Sequence, residues 1–129
     1  MVKEGITFTT PALNLCLNLI MIETLDHIII AVEDLDQATK DYELILGCNP
    51  VWMGEHKAYG TANSLFNFEN TYLELLAAKG EGFGADMINH ILSESGEGLS
   101  GAVLSTKDAH KAFSAHTNAG YSLGAPDDG

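Results

Sequence analysis

Apolar positions along the chain switch between strand-like and helix-like spacing. Leu25 to Val32 (LDHIIIAV) is a β-branched run bounded by acidic residues, which predicts a strand buried on both faces. Asp34-Leu-Asp-Gln37 follows, a capping-box pattern with an acidic N-cap and Gln at the third helical position. Leu35, Ala38, Tyr42 and Ile45 then recur at three- and four-residue spacing, so one helix face is expected to be apolar. Gly47 supplies a left-handed stop. Pro50 to Gly54 reads as a short strand and Glu55 to Gly60 as a loop. Ala62 to Phe68 reads as a strand, Glu69-Asn70 as a tight turn, and Thr71 to Ala78 as the strand that pairs back. Alternation puts Leu65 and Asn67 on one side of the sheet and Phe66 and Phe68 on the other.

Lys79 to Gly84 is a Gly-rich connector, and Ala85 to Ser95 predicts a helix with Met87, Ile88, Ile91 and Leu92 on one face, ended by Gly96 to Gly98. A weak internal repeat follows. Setting His27 against Gly101 aligns HIIIAVEDLDQA with GAVLSTKDAHKA, so that Asp34 meets Asp108 and Ala38 meets Ala112. The second unit therefore reads as strand then helix, with Ala109, Ala112 and Phe113 inward and Gly120 as the stop. Tyr121 to Gly124 is expected to begin one more strand. The order is βαβββ followed by a partial βαβ. An open sheet edge is a template for pairing, so the expectation is a homodimer that completes the sheet, or a longer protein.

Composition narrows the class. The chain has 129 residues, enough for one domain with a real core and short for two. The boundaries expected are an apolar N-terminal extension over residues 1–22 and one domain over 23–129. The stretch from Pro11 to Ile22 is too short, and too interrupted by Asn14 and Asn18, to span a bilayer. Eighteen acidic residues stand against six Lys and no Arg, a net charge of −12. That charge opposes the neutralisation of phosphates on which nucleic-acid binding depends. Cys16 and Cys48 are the only cysteines and form no Cys-x-x-Cys pair, which suits a reduced, cytoplasmic protein. No phosphate loop, dinucleotide fingerprint or Gly-x-Ser-x-Gly elbow occurs.

LDHIIIAVEDLDQATKDYELILG resembles the first strand and helix of glyoxalase-like domains of the vicinal-oxygen-chelate superfamily, and GTANSLFNFENTYLELLAA resembles that family's later strands. The likeness covers roughly Leu25 to Gly124, and its first half is the stronger. It implies an α+β fold, glyoxalase/bleomycin resistance/dioxygenase-like, in which βαβββ modules form a curved cup. Metal-using members hold a divalent ion on the cup floor with ligands from the first and fourth strands of each module. By position, His27 and Glu74 match the first module's two ligand sites. Gly101 takes the second module's first position and has no side chain to ligate with.

The resemblance implies a small oxygenated organic molecule as ligand. Its reaction classes are isomerase, lyase and dioxygenase, and some relatives of the bleomycin-resistance type only sequester a ligand without metal. A lone His within an apolar strand is ordinarily a hydrogen-bonded core residue, and the family position is what gives His27 a functional reading. Glu74 shares a face with Tyr72 and Leu76. If that face lines the cup, its carboxylate must be paired, protonated or metal-bound. Glu74 and His56 are the candidate catalytic residues, with His56 in a loop at the rim. Trp52, Tyr59, Asn63 and Tyr72 are the candidate ligand contacts. An enzyme, a metal-free binder and an assembly module with no activity all stand as readings of the residues.

Overall fold

The structure is a computed structural model that describes residues 22–126, so the N-terminal extension and Cys16 lie outside the described residues. The described residues divide into two compact units: Leu25–Leu104, and residues 22–24 with 105–126. The elements in chain order are β1 (Thr24–Ala31), α1 (Leu35–Leu46), β2 (Trp52–His56), β3 (Thr61–Asn67), β4 (Tyr72–Ala78), α2 (Phe83–Ser95), β5 (Gly98–Ser105) and α3 (Ala109–Asn118). The strands form one open sheet in the order β2-β3-β4-β1-β5. β2 to β4 are antiparallel neighbours, and β1 lies parallel to β4. That parallel pair is made possible by α1 and the β2–β3 hairpin, which carry the chain back across the sheet. Ser100 Oγ donates to the Ile29 carbonyl, and Glu23 N donates to the Ser105 carbonyl. Rising numbers on one strand thus meet falling numbers on the other, and β5 runs antiparallel to β1.

Each face of the sheet has its own core. Val32, Phe66, Leu73, Leu75 and Ala77 are buried on one face under Leu35, Ala38, Tyr42 and Leu46 of α1. Ala31 and Leu76 are buried on the other face with Ile88 of α2, joined by Ile29, Ala78, Ile91 and Leu92. The α1 face also holds two polar side chains. Thr39 Oγ1 donates to the Leu35 carbonyl and shares a 2.7 Å hydrogen bond with the fully buried Ser64 hydroxyl, so both are satisfied.

Several expectations hold and several are corrected. Asp34 is the N-cap of α1, accepting from Gln37 N at 2.9 Å. The capping box is only half formed, because the Gln37 side chain turns outward to Asp41. Gly47 ends α1 at φ 68, where only glycine sits without strain. The inward face ends on Leu46, and Ile45 is 71% exposed. The spacing from Tyr42 allowed either residue, and only one lies over the sheet. Met87 is likewise exposed beside the buried Ile88. β1 is exposed over Thr24–Asp26 and half-buried over His27–Ile30, so its apolar run is not enclosed on both faces. His56 is the last residue of β2 and not part of a loop, because the antiparallel ladder runs on to a His56–Thr61 pair.

In the second unit, Asp108 caps α3 by accepting from Lys111 N. Ala112 is buried as expected, whereas Ala109 is exposed. Residues 121–126 form no strand, since no described ladder partner pairs with them.

The β2–β3 turn is tied to the start of α2. The Gly60 carbonyl accepts from Lys79 N, and the Tyr59 carbonyl accepts from Ala85 N. Gly60 has φ 68, and a Cβ there would lie 2.5 Å from the Glu81 carbonyl oxygen. Gly60→Ala is therefore expected to cost about 2–4 kcal/mol, combining left-handed strain with overpacking. Gly47→Ala, with nothing near its Cβ, is expected to cost only the strain, about 1–2 kcal/mol. Urea unfolding midpoints of the two variants check the ordering.

Candidate functional site

Register brings together side chains that are far apart in sequence. In the parallel β1–β4 ladder His27 lies beside Tyr72 and Ile29 beside Glu74. In the antiparallel β3–β4 ladder Leu65 lies beside Glu74, and Asn63 beside Leu76. In the β2–β3 ladder Trp52 lies beside Leu65, and Gly54 beside Asn63. Because directly paired residues point to the same face, His27, Tyr72, Glu74, Asn63, Leu65, Trp52 and Gly54 share one side. It is the side that carries Ile29 and Leu76, opposite α1.

The centre of this face is an imidazole–carboxylate pair. His27 Nε2 is 3.2 Å from Glu74 Oε2, and both side chains are only 12% exposed. The other ring nitrogen, Nδ1, is 2.7 Å from Asp26 Oδ2. The Tyr72 ring stacks on the imidazole with centroids 4.3 Å apart at 16°, which fixes the ring plane. Burial raises the Tyr72 phenol above its ordinary range, with smaller contributions from the charge and hydrogen bonding of Asp26 and from the charge of Glu74. That phenol stays a protonated donor at neutral pH.

Asn63 completes the arrangement. Its Nδ2 donates to Glu74 Oε1 at 2.7 Å, which leaves Oε2 for His27. Asn63 is 4% exposed, and its Oδ1 is buried without a hydrogen-bond partner in the protein. Turning the amide over would set Oδ1 against the Glu74 carboxylate, so the orientation follows from the charge it faces. A buried acceptor left unpaired costs roughly 1–3 kcal/mol, so this oxygen calls for a donor or a cation.

The expected contacts are not all equally close. Tyr72, Asn63, His27 and Glu74 form one cluster. Trp52 lies in the same row of the sheet as Glu74, two strands away, so about 10 Å across. Its indole is 58% exposed and folds over Gly54. His56 is exposed and pairs with Thr61, which pairs with Ala78. That is four residues along β4 from Glu74 and two strands over, more than about 15 Å, so one chain does not bring His56 to the pair. Tyr59 lies in the turn beyond His56 and is 57% exposed. Gly101 faces the Ile29 side chain, where a Cβ would lie 3.6 Å from Ile29 Cδ1. The sequence reading missed Asp26 and Gly54. The Asp-His dipeptide was the available signal for the first, masked by strand alternation, which assigns neighbouring residues to opposite faces.

The spacing of the two donor atoms would accommodate a divalent cation, as it does a hydrogen bond. Two donors bound side by side to one ion at about 2.0–2.2 Å lie roughly 3 Å apart, close to the observed 3.2 Å. Asp26 on Nδ1 is the second carboxylate that metal-ligating histidines commonly use to set their tautomer. Among the described residues no group of three or more His, Cys, Asp or Glu side chains could hold a metal together. The described residues of one chain thus bring two such donors together.

Comparisons with known proteins agree on the architecture. The family described as "Glyoxalase-like domain" matches residues 25–128. No curated protein matches the chain. Among solved structures, a hypothetical protein, BH1468, of Bacillus halodurans C-125 superposes with TM-score 0.67 at 21% identity, over 75% of this chain and 68% of that one. A methylmalonyl-CoA epimerase variant of Streptomyces coelicolor, in complex with 2-nitronate-propionyl-CoA, gives 0.63 at 22% over 77% and 71%. The Mycobacterium tuberculosis methylmalonyl-CoA epimerase gives 0.62 at 23% over 75% and 66%. At these identities the structural likenesses speak to the fold alone.

Asn63→Ala removes the donor to Glu74 and is expected to lower stability by about 1–3 kcal/mol. Asn67→Ala, at an exposed position of the same strand, is expected to stay within about 0.5 kcal/mol. Urea unfolding of both variants checks this.

Proposed function

This chain belongs to the glyoxalase-like domain family, within the vicinal-oxygen-chelate superfamily, and we propose that its His27–Glu74 pair is half of a divalent-cation site for an oxygenated small molecule. The reaction class this reading favours is isomerisation of the epimerase type, a proton moved next to a carbonyl. The observation that carries the cation site is the 3.2 Å approach of two shielded donor atoms, with Asp26 on the far side of the imidazole. The reaction class is supported by the methylmalonyl-CoA epimerases among the structural neighbours. When bound, a divalent cation supplies Lewis-acid polarisation of the substrate oxygens.

The chain's own residues prepare that site. Asp26 holds a proton on Nδ1, so the Nε2 lone pair is left facing Glu74. Asn63 fixes one carboxylate oxygen and leaves the other for the ion. Tyr72 keeps the imidazole in plane and presents a neutral phenol beside it. In this proposal His56 is a rim residue, and so is Tyr59. A second copy contributes its own His27 and Glu74, raising the ligand count to four. This requires the two first modules to face each other about a twofold axis; pairing along the outer edge of β5 would instead leave the two His27 three strands, about 14 Å, apart.

A metal-free ligand binder is the second reading. It is favoured by the two-ligand count among the described residues and by Gly101. No helix among the described residues is long and apolar enough to cross a membrane, and the proposal needs no membrane.

Metal analysis and Mn²⁺ titration of protein purified without chelator separate the two readings. The cation reading expects at least one ion per two chains, lost in His27→Ala and in Glu74→Gln. Asp26→Asn is expected to weaken binding about 10–100-fold. Less metal than that, or binding unchanged in His27→Ala, favours the metal-free reading.

A further inference from the structure

We propose that Trp52, seated on Gly54, is the specificity-determining wall of this site, and that its ligand is a flat conjugated or aromatic molecule carrying an O–H or N–H donor at its edge. This inference rests on the reading of the His27–Glu74 face as the ligand site, but not on a bound cation.

Three observations meet here. A Cβ on Gly54 would lie 2.6 Å from Trp52 Nε1 and 3.0 Å from Cε2 and Cζ2. The indole therefore occupies the volume that any other residue at 54 would fill. Gly54 has an ordinary backbone with no positive φ, so what the glycine supplies is space for the ring. Gly54 is also paired with Asn63 across the β2–β3 ladder, which puts the indole next to the amide that clamps Glu74. Finally, Asn63 Oδ1 is a buried acceptor with no partner, in a side chain whose other end is already committed to Glu74.

The chemistry that satisfies these features together has two parts. A large, partly exposed indole offers a flat apolar surface, on which another π system gains more than a saturated ring does. The unpaired Oδ1 accepts but cannot donate, so it selects a ligand that brings a hydrogen. A site with an unpaired polar group discriminates strongly against an isostere lacking the matching donor. The ligand enters by shifting the indole on its seat, donates to Oδ1, and lies with its plane against Trp52. Its remaining oxygen atoms are then directed along the sheet row toward Glu74 and His27.

Trp52 is the chain's one tryptophan, so its emission reports directly on this wall. The full chain, kept in chelator, is titrated with phenol, anisole and cyclohexanol. Phenol has the ring and the donor, anisole lacks the donor, and cyclohexanol lacks the flat ring. Phenol is expected to bind about tenfold more tightly than either and to shift the emission. Asn63→Ala is expected to bring phenol down to the level of anisole. Gly54→Ala, checked for folding by circular dichroism, is expected to shift the emission of the free protein and bring phenol down to cyclohexanol. If Gly54→Ala does not fold, Trp52→Leu followed by calorimetry makes the same comparison. Equal affinity for the three probes in the wild type, or a phenol preference untouched by these variants, overturns the inference. A preference that persists in chelator while Mn²⁺ binding fails supports it and overturns the cation reading. Its loss with Mn²⁺ binding intact overturns this inference alone.

Discussion

An imidazole nitrogen and a carboxylate oxygen are held together where water has little access. His27 Nε2 lies 3.2 Å from Glu74 Oε2, both side chains are 12% exposed, and Asp26 lies against the other ring nitrogen, Nδ1. Two such atoms at that distance need something electrophilic between them, either a proton or a metal ion. The rest of the face is arranged around this demand. Asn63 takes the second carboxylate oxygen, and Tyr72 stacks on the imidazole.

Sheet topology is what makes the demand possible. His27 and Glu74 are brought within reach because β1 and β4 are parallel neighbours, a pairing that needs α1, β2 and β3 between them in the chain. The two faces then divide the work. The α1 face buries Phe66, Leu73, Leu75 and Ala77 and carries much of the hydrophobic stabilisation. On the opposite face α2 covers Ala31 and Leu76. The rest is shared by polar and aromatic side chains and Leu65. A fold with its apolar weight on one side can tolerate an unpaired Asn63 oxygen on the other, as functional sites commonly do.

Local chemistry was legible in the sequence, and cross-strand chemistry was only partly so. The acidic cap at Asp34, the stop at Gly47 and the alternation in YLELLAA follow from rules a few residues long, and each appears where expected. Ile45 and Leu46 differ by one helical step, which spacing alone does not resolve. His56 was assigned to a loop because its neighbours are polar and near glycine, whereas the antiparallel register extends β2 through it. A strand over Tyr121 to Gly124 was expected from composition, but a strand exists only with a partner. At the site, His27 and Glu74 were found through family position, and the shared face follows from counting by twos. Asp26 on the imidazole, the clamp from Asn63 and the seat of Trp52 on Gly54 depend on register between strands. Local pattern does not encode that register.

The state of the His27 ring tests this account most directly. Nitrogen-15 NMR of the imidazole distinguishes its tautomers, and the shift of Nε2 reports what that atom faces. The account predicts a proton on Nδ1 in the neutral ring, an Nε2 signal that moves in Glu74→Gln, and a further change on Nε2 alone when Zn²⁺ is added. A proton on Nε2 with Nδ1 bare, or an Nε2 signal indifferent to both, would contradict it.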